Sequence, residues 1–120
     1  MQQQQQRSIS EKRDLSLAIN RKEEKEEMVI TKHTASIFIG TDFERMIRNA
    51  WITTIIFSGI ATELGVESSA RDALNRYFYP VIVLDTVSSS DKDAYARSLQ
   101  NMERILTVTS TNVFARSWSR

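Results

Sequence analysis

Ser58–Gly59–Ile60–Ala61–Thr62–Glu63–Leu64–Gly65–Val66–Glu67–Ser68–Ser69–Ala70–Arg71–Asp72–Ala73 is the stretch that decides how this chain folds. It joins an unbroken apolar run, Ile52 to Phe57, to a helical stripe of Val66, Ala70, Ala73, Leu74 and Tyr77. The β-rich run predicts a strand buried on both faces. Gly59 and Gly65 bracket a tight strand-to-helix turn. Backbone N–H groups at such a turn can hold an oxyanion or a carboxylate.

The same alternation continues outward. Tyr79 to Leu84 predicts a second buried strand, with Pro80 near its start, where a missing N–H is tolerated. Ser89, Ser90 and Asp91 supply a helix N-cap, and Tyr95, Leu99, Met102 and Leu106 form the stripe that follows. Ile105 to Val108 reads as a last, shorter strand. Upstream, Thr41–Asp42–Phe43–Glu44 fits a capping box, with Thr41 as N-cap and Glu44 three residues on. Phe43, Met46, Ile47 and Ala50 then share one helix face, and Met28–Val29–Ile30 is a short strand candidate. Strands and helices alternating over short links predict α/β architecture with parallel, right-handed βαβ units. Beyond Thr111 the pattern fades, and Phe114 and Trp118 find no place in it.

Residues 1–27 have a different character. They carry a glutamine run, then six acidic and six basic residues, with Leu15, Leu17, Ala18 and Ile19 the only apolar cluster. So little apolar surface predicts a frayed solvated helix or a disordered lead, with a docking helix for a partner as the functional alternative. The domain reading is a charged, Gln-rich lead over 1–27, an α/β domain over 28–111 and a tail over 112–120. At 120 residues the chain is one domain's worth of material. Its opening residues contain no apolar core of the secretory kind, and no apolar run reaches membrane-spanning length. There is no cysteine, which removes disulfides and thiol nucleophiles. A single histidine, His33, argues against a histidine-based metal site. A net charge of +1 offers no nucleic-acid footprint. The expectation is a cytoplasmic protein with no cofactor or metal.

In open parallel sheets, ligands sit at the carboxyl ends of strands. The residues available there are the 58–65 turn, the Asp85–Thr86–Val87–Ser88 strand end and Lys32 after the first short apolar segment. Each has an ordinary alternative: a structural turn, a capping carboxylate, a solvated lysine. His33 reads as a surface histidine, and Arg71–Asp72 as an ion pair or packing contact.

Lys32 through Ser36–Ile37–Phe38, then Gly40–Thr41–Asp42–Phe43–Glu44, resembles the lysine segment of isochorismatase-like hydrolases. The 58–73 stretch resembles that family's nucleophile turn and helix. Val83–Leu84–Asp85 with Ser88–Ser89–Ser90–Asp91 resembles the strand and loop that follow. The resemblance covers residues 28 to about 110. It implies a three-layer α/β/α Rossmann-like fold with a parallel sheet, and cleavage of small molecules such as isochorismate, nicotinamide or N-carbamoylsarcosine. Amide-cleaving members use an aspartate, a lysine and a cysteine, with a cis peptide helping to form the oxyanion hole. Matched residue by residue, the resemblance implies Lys32 as the lysine and Ile60–Ala61 as the cis bond. It implies the N–H groups of Ala61 and Gly65 as oxyanion donors.

The chain also departs from that pattern. Gly65 stands at the cysteine position, which removes covalent amide hydrolysis through that residue. Isochorismatases resemble this case, since they lack the cysteine and protonate a vinyl ether through the aspartate. That aspartate ends the family's first strand, and no apolar strand ending in aspartate precedes Met28. The sheet is therefore expected to be incomplete, with Met28–Val29–Ile30 or a second chain filling the gap. Trp51 and Tyr77 stand where the pattern usually has glycine after a helix, and Tyr95 where many members have histidine. The reading is an isochorismatase-family hydrolase domain acting on a small organic acid or amide, impaired by its missing aspartate and cysteine. The alternatives are a non-catalytic binding or oligomerisation module derived from that fold, or a truncated gene product. A small-molecule ligand and self-association are the expected partners, without nucleic acid or membrane.

Overall fold

The computed structural model describes residues 27–118. The lead expected over residues 1–27 lies outside these residues apart from Glu27. The elements are α1 (Phe43–Asn49), β1 (Thr54–Ile60), a π-helical turn (Thr62–Val66), α2 (Glu67–Asn75), β2 (Tyr79–Ser88), α3 (Lys92–Ile105), β3 (Thr107–Thr109) and α4 (Thr111–Trp118). The strands form one sheet in the order β1-β2-β3, with both pairings parallel. This is the α/β class, with an incomplete sheet.

Central β2 is buried from Pro80 to Val83. Ile82 is fully buried with Val66, Ala70, Val87 and Met102, and Phe57, Tyr95, Leu99, Leu106 and Val108 pack around them. Side chains alternate along a strand, so Val81 and Val83 point away from Ile82. They are nevertheless buried, and α4 packs on β2. A second cluster joins Phe38, Ile47, Ala73 and Phe78 with Ile37, Phe43, Ile55 and Phe57. Phe57 belongs to both clusters and ties α1 to the main core.

β1 departs from its expected burial. Ile55 and Phe57 are half-buried, but Thr54, Ile56 and Ser58 are exposed. Among the described residues β1 pairs with β2 alone, and no helix covers its second face. An unbroken apolar run signals a two-sided environment, which the described chain only half supplies. Met28–Val29–Ile30 forms no strand, and Met28 and Val29 are exposed. The capping box does not form either. Helix α1 begins one residue later, on Asp42, without a side-chain cap. The Thr41 hydroxyl donates to the Ile37 carbonyl and accepts from the Phe43 N–H, while Glu44 pairs with Arg48 and Arg76. Two guanidinium partners outcompete one local N–H for that carboxylate.

Asp91 does cap α3, accepting from the Asp93 and Ala94 N–H groups at 3.1 and 3.0 Å. The unpatterned stretch after Thr111 forms α4, whose first N–H is accepted by Asp85 at 2.9 Å.

Helices α1 and α2 end alike. The Trp51 and Ile52 N–H groups donate to the Arg48 and Ile47 carbonyls; the Tyr77 and Phe78 N–H groups donate to Leu74 and Ala73. These are two Schellman ends, with Trp51 and Tyr77 at φ +59° and +69°. A left-handed conformation costs a non-glycine residue about 1–2 kcal/mol. Trp51 is 91% and Tyr77 95% exposed, so burial within the described chain offsets neither.

Candidate functional site

β1 stops at Ile60, the Ile60–Ala61 peptide is cis, and the chain enters the π-helical turn at once. The Ala61 carbonyl accepts from the Leu64 and Val66 N–H groups at 3.1 and 3.4 Å, which coils the turn about that oxygen. Three side-chain contacts hold it against its neighbours. Thr62, fully buried, donates its hydroxyl to the Ser88 carbonyl at 3.0 Å. Ser89 donates to Glu63 Oε1 at 2.7 Å. Ser98 of α3 donates to Glu67 Oε1 at 2.8 Å and lies against the Thr62 carbonyl. The turn is thereby fixed to the end of β2, the loop after it and α3.

Residues 32–41 come in from the other side. Ser69 of α2 accepts the Ile37 N–H at 3.0 Å, and Phe38 is buried beside Ala73 and Phe78. Lys32 Nζ donates to the Ala35 carbonyl. This arrangement sets the ammonium against the turn: a β-carbon built on Gly65 would lie 3.0 Å from Lys32 Nζ and 3.5 Å from the Ala35 carbonyl. Gly65 does not have a positive φ, whereas Gly40 (+67°) and Gly59 (+121°) do. The φ at 65 therefore does not call for glycine, and a β-carbon there would face the lysine, whose tip would have to give way slightly. Lys32 and Gly65 are half-buried, and a depression of about 580 Å³ lined by Met28, Val29, Ile30, Thr41, Asp42 and Met46, among others, includes neither of them.

The other candidates are placed elsewhere. Asp85 lies where β2 bulges, between the pairs Phe57↔Ile82 and Gly59↔Val87. Its carboxyl is held below the usual range, first by the Thr111 hydroxyl and then by the Thr111 N–H. Asp85 is thus a capping carboxylate for α4. His33 is exposed, and Arg71 reaches Glu67 at 3.6 Å, while Asp72 pairs with Arg76 at 3.4 Å. Tyr95 packs on the Val66–Met102 core. Among the described residues no three carboxylates, histidines or cysteines gather as a metal site would require. The Glu63–Ser89 link joins residues 26 apart and follows no local spacing rule. Glu63 Oε2 is buried without a hydrogen-bond partner, and the only sequence signal was an acid inside the turn and three serines after β2.

Comparison with known proteins supplies the relationship. An Isochorismatase domain model matches residues 2–113. An uncharacterised isochorismatase family protein, YwoC of Bacillus subtilis, is 34% identical over 71 residues, covering 59% of this chain and 38% of YwoC. Ureidoacrylate amidohydrolase RutB of Methylorubrum extorquens is 32% identical over 78 residues, covering 64% of this chain and 32% of RutB. The crystal structure of an isochorismatase-like hydrolase from Alkaliphilus metalliredigens superposes with a TM-score of 0.77. That match has 21% identity and covers 82% of this chain and 54% of the other, a likeness of fold. The chain thus spans well under half the length of these curated relatives. No described helix is long and apolar enough to cross a membrane. With the family model matching nearly the whole sequence, the chain belongs to the isochorismatase family.

Proposed function

We propose that this chain carries the anion-facing part of an isochorismatase-family hydrolase site for a small organic acid or amide, with its chemistry impaired. The observation that carries the reading is Lys32 Nζ set 3.0 Å from where a side chain at position 65 would begin. The Lys32 ammonium would stabilise developing negative charge, and the Ala61 and Gly65 N–H groups would polarise the scissile carbonyl. Ureidoacrylate, the substrate in RutB's name, joins a carboxylate to a cleavable ureido C–N bond, and this substrate class suits a cation beside backbone donors. Position 65 offers no nucleophile, and the sequence before Met28 holds no apolar strand ending in aspartate to supply a proton. Loss of such members lowers rates by several orders of magnitude. The chain is inferred to work in the cytoplasm, without cofactor or nucleic acid, as a homo-oligomer; the edge of β1, unpaired among the described residues, supports the last point.

Restoring the thiol tests the site. In Gly65→Cys, only the tip of Lys32 needs to give way. A lysine beside a thiol lowers its pKa, so alkylation by iodoacetamide at neutral pH should slow about tenfold when Lys32→Ala is added. Equal alkylation rates in the two variants would separate Lys32 from position 65 and end the proposal.

A second reading is favoured by the relaxed backbone at Gly65. Since the conformation does not require glycine, the missing side chain leaves a turn that could hold a carboxylate without reacting. If benzoate raises the melting temperature of the unmodified chain, Lys32→Ala removes that shift and no amide is cleaved, the binding-module reading replaces the hydrolytic one.

A further inference from the structure

Trp51 and Tyr77 occupy equivalent places. Each follows a Schellman helix end, each has a left-handed backbone, and each leads into a strand. Those strands are neighbours: Thr54 pairs with Tyr79, and the Tyr79 N–H donates to the Thr53 carbonyl at 2.7 Å. Arg48 near the end of α1 donates to the Arg76 carbonyl at the end of α2, at 2.8 Å. The two aromatic residues therefore share the amino-terminal end of the sheet, opposite the Lys32–Gly65 turn. Ile52, 41% exposed, lies next to Trp51, and Tyr79, 56% exposed, carries the surface on past Tyr77 towards β3, where its hydroxyl hydrogen-bonds the Thr107 hydroxyl.

Glycine would hold either φ angle without strain, so backbone geometry does not explain an aromatic residue at either place. Burial within the described chain does not explain them either. We propose that this end of the sheet is a self-association face, in which Trp51 and Tyr77 of one copy pack against the same residues of a second copy.

Charge and area select that occupant. Arg48, Arg76, Glu44 and Asp72 around the patch neutralise one another, with contacts of 3.0, 2.8 and 3.4 Å. A face with an apolar centre and a neutral rim holds no excess charge for a polyanion or a lipid headgroup, and it matches itself across a twofold axis. An aromatic side chain buries about 150–250 Å². Trp51 and Tyr77, with Tyr79 and Ile52, supply most of the roughly 800 Å² that each partner contributes to a stable interface. Trp, Tyr and Arg are also the residue types that dominate binding energy at such centres.

The face named here gives the self-association inferred above a location, and it does not depend on the hydrolytic reading. The test is sedimentation velocity on the full chain over a roughly hundredfold concentration range. The unmodified chain should pass from monomer to dimer. Trp51→Gly with Tyr77→Gly should weaken the dimer at least about thirtyfold per residue, with far-UV circular dichroism unchanged. Trp51→Asn with Tyr77→Asn should do the same, since asparagine also tolerates these φ values. A chain that stays monomeric throughout overturns both the face and the self-association. A dimer that survives both double variants overturns the face alone. Loss of fold in both variants would place the aromatics in the chain's own core and overturn the proposal.

Discussion

At the carboxyl end of the sheet, Thr62, Glu63 and Ser98 turn their polar atoms inward onto neighbouring elements, and Gly65 leaves room for the tip of Lys32. At the amino end, Trp51 and Tyr77 turn large rings outward on backbone that glycine would hold more cheaply. Both ends hang on the same three strands, so strand stability alone explains neither. The carboxyl end is organised by contacts within the chain. The amino end makes sense through contacts beyond it.

The comparison can be broken outright by removing what the ends share. Ile82 is fully buried in the middle of the central strand. Ile82→Ala should cost about 2–5 kcal/mol, read as a lower urea midpoint by circular dichroism, and should loosen both ends together. A selective change should follow at the carboxyl end. Thr62→Val keeps shape and removes the bond to Ser88, so it should destabilise the chain by about 1–2 kcal/mol and speed amide exchange in residues 61–66 more than in 51–54. Uniform exchange would mean that the turn is not held separately. The amino end should respond with the opposite sign. In dilute, monomeric protein, Trp51→Gly or Tyr77→Gly should each raise stability by about 0.5–1 kcal/mol, the relieved backbone strain less the extra freedom of the unfolded glycine. A fall in midpoint would show that the rings support the monomer.

The smallest effect lies in the response to acid. Glu44 is held below the ordinary carboxylate range chiefly by its hydrogen bond to Arg48, and also by Arg76. Asp85 is lowered by Thr111. A depressed folded pKa means that the unfolded chain binds more protons across the window. The stabilisation is therefore complete above the ordinary carboxylate range and is lost as pH falls through it towards the folded values. Glu44→Gln and Asp85→Asn should each flatten the acid limb of a stability–pH curve slightly, and leave the curve above neutrality parallel to that of the unmodified chain. The first acts at the amino end, beside α1 and α2. The second acts on α4.

Local signals were the legible ones. The 79–84 strand, the Asp91 cap and the Tyr95–Met102 stripe each lie within one element, where periodicity and capping act. Helix α4 is anchored by Asp85, far back in the sequence, so its own residues carry little of the signal. Met28–Val29–Ile30 has strand composition but pairs with no strand among the described residues. Thr41 and Glu44 satisfied a local rule that long-range pairing with Arg76 overrode. At the site, the short spacing of Gly59 and Gly65 announced a turn, but no spacing rule joins Lys32 to position 65; the family resemblance supplied that pairing. The Glu63–Ser89 contact depends on how β2 bulges past β1, a register that neither segment encodes alone.

The position of Trp51 also makes the molecule its own optical probe. An indole that is 91% exposed emits as it does in water, and enclosure shifts its emission to the blue. With the chain's other tryptophan, Trp118, replaced by phenylalanine, fluorescence would come from one ring at the amino end of the sheet. Its colour would report what touches that end while the opposite end is left unlabelled.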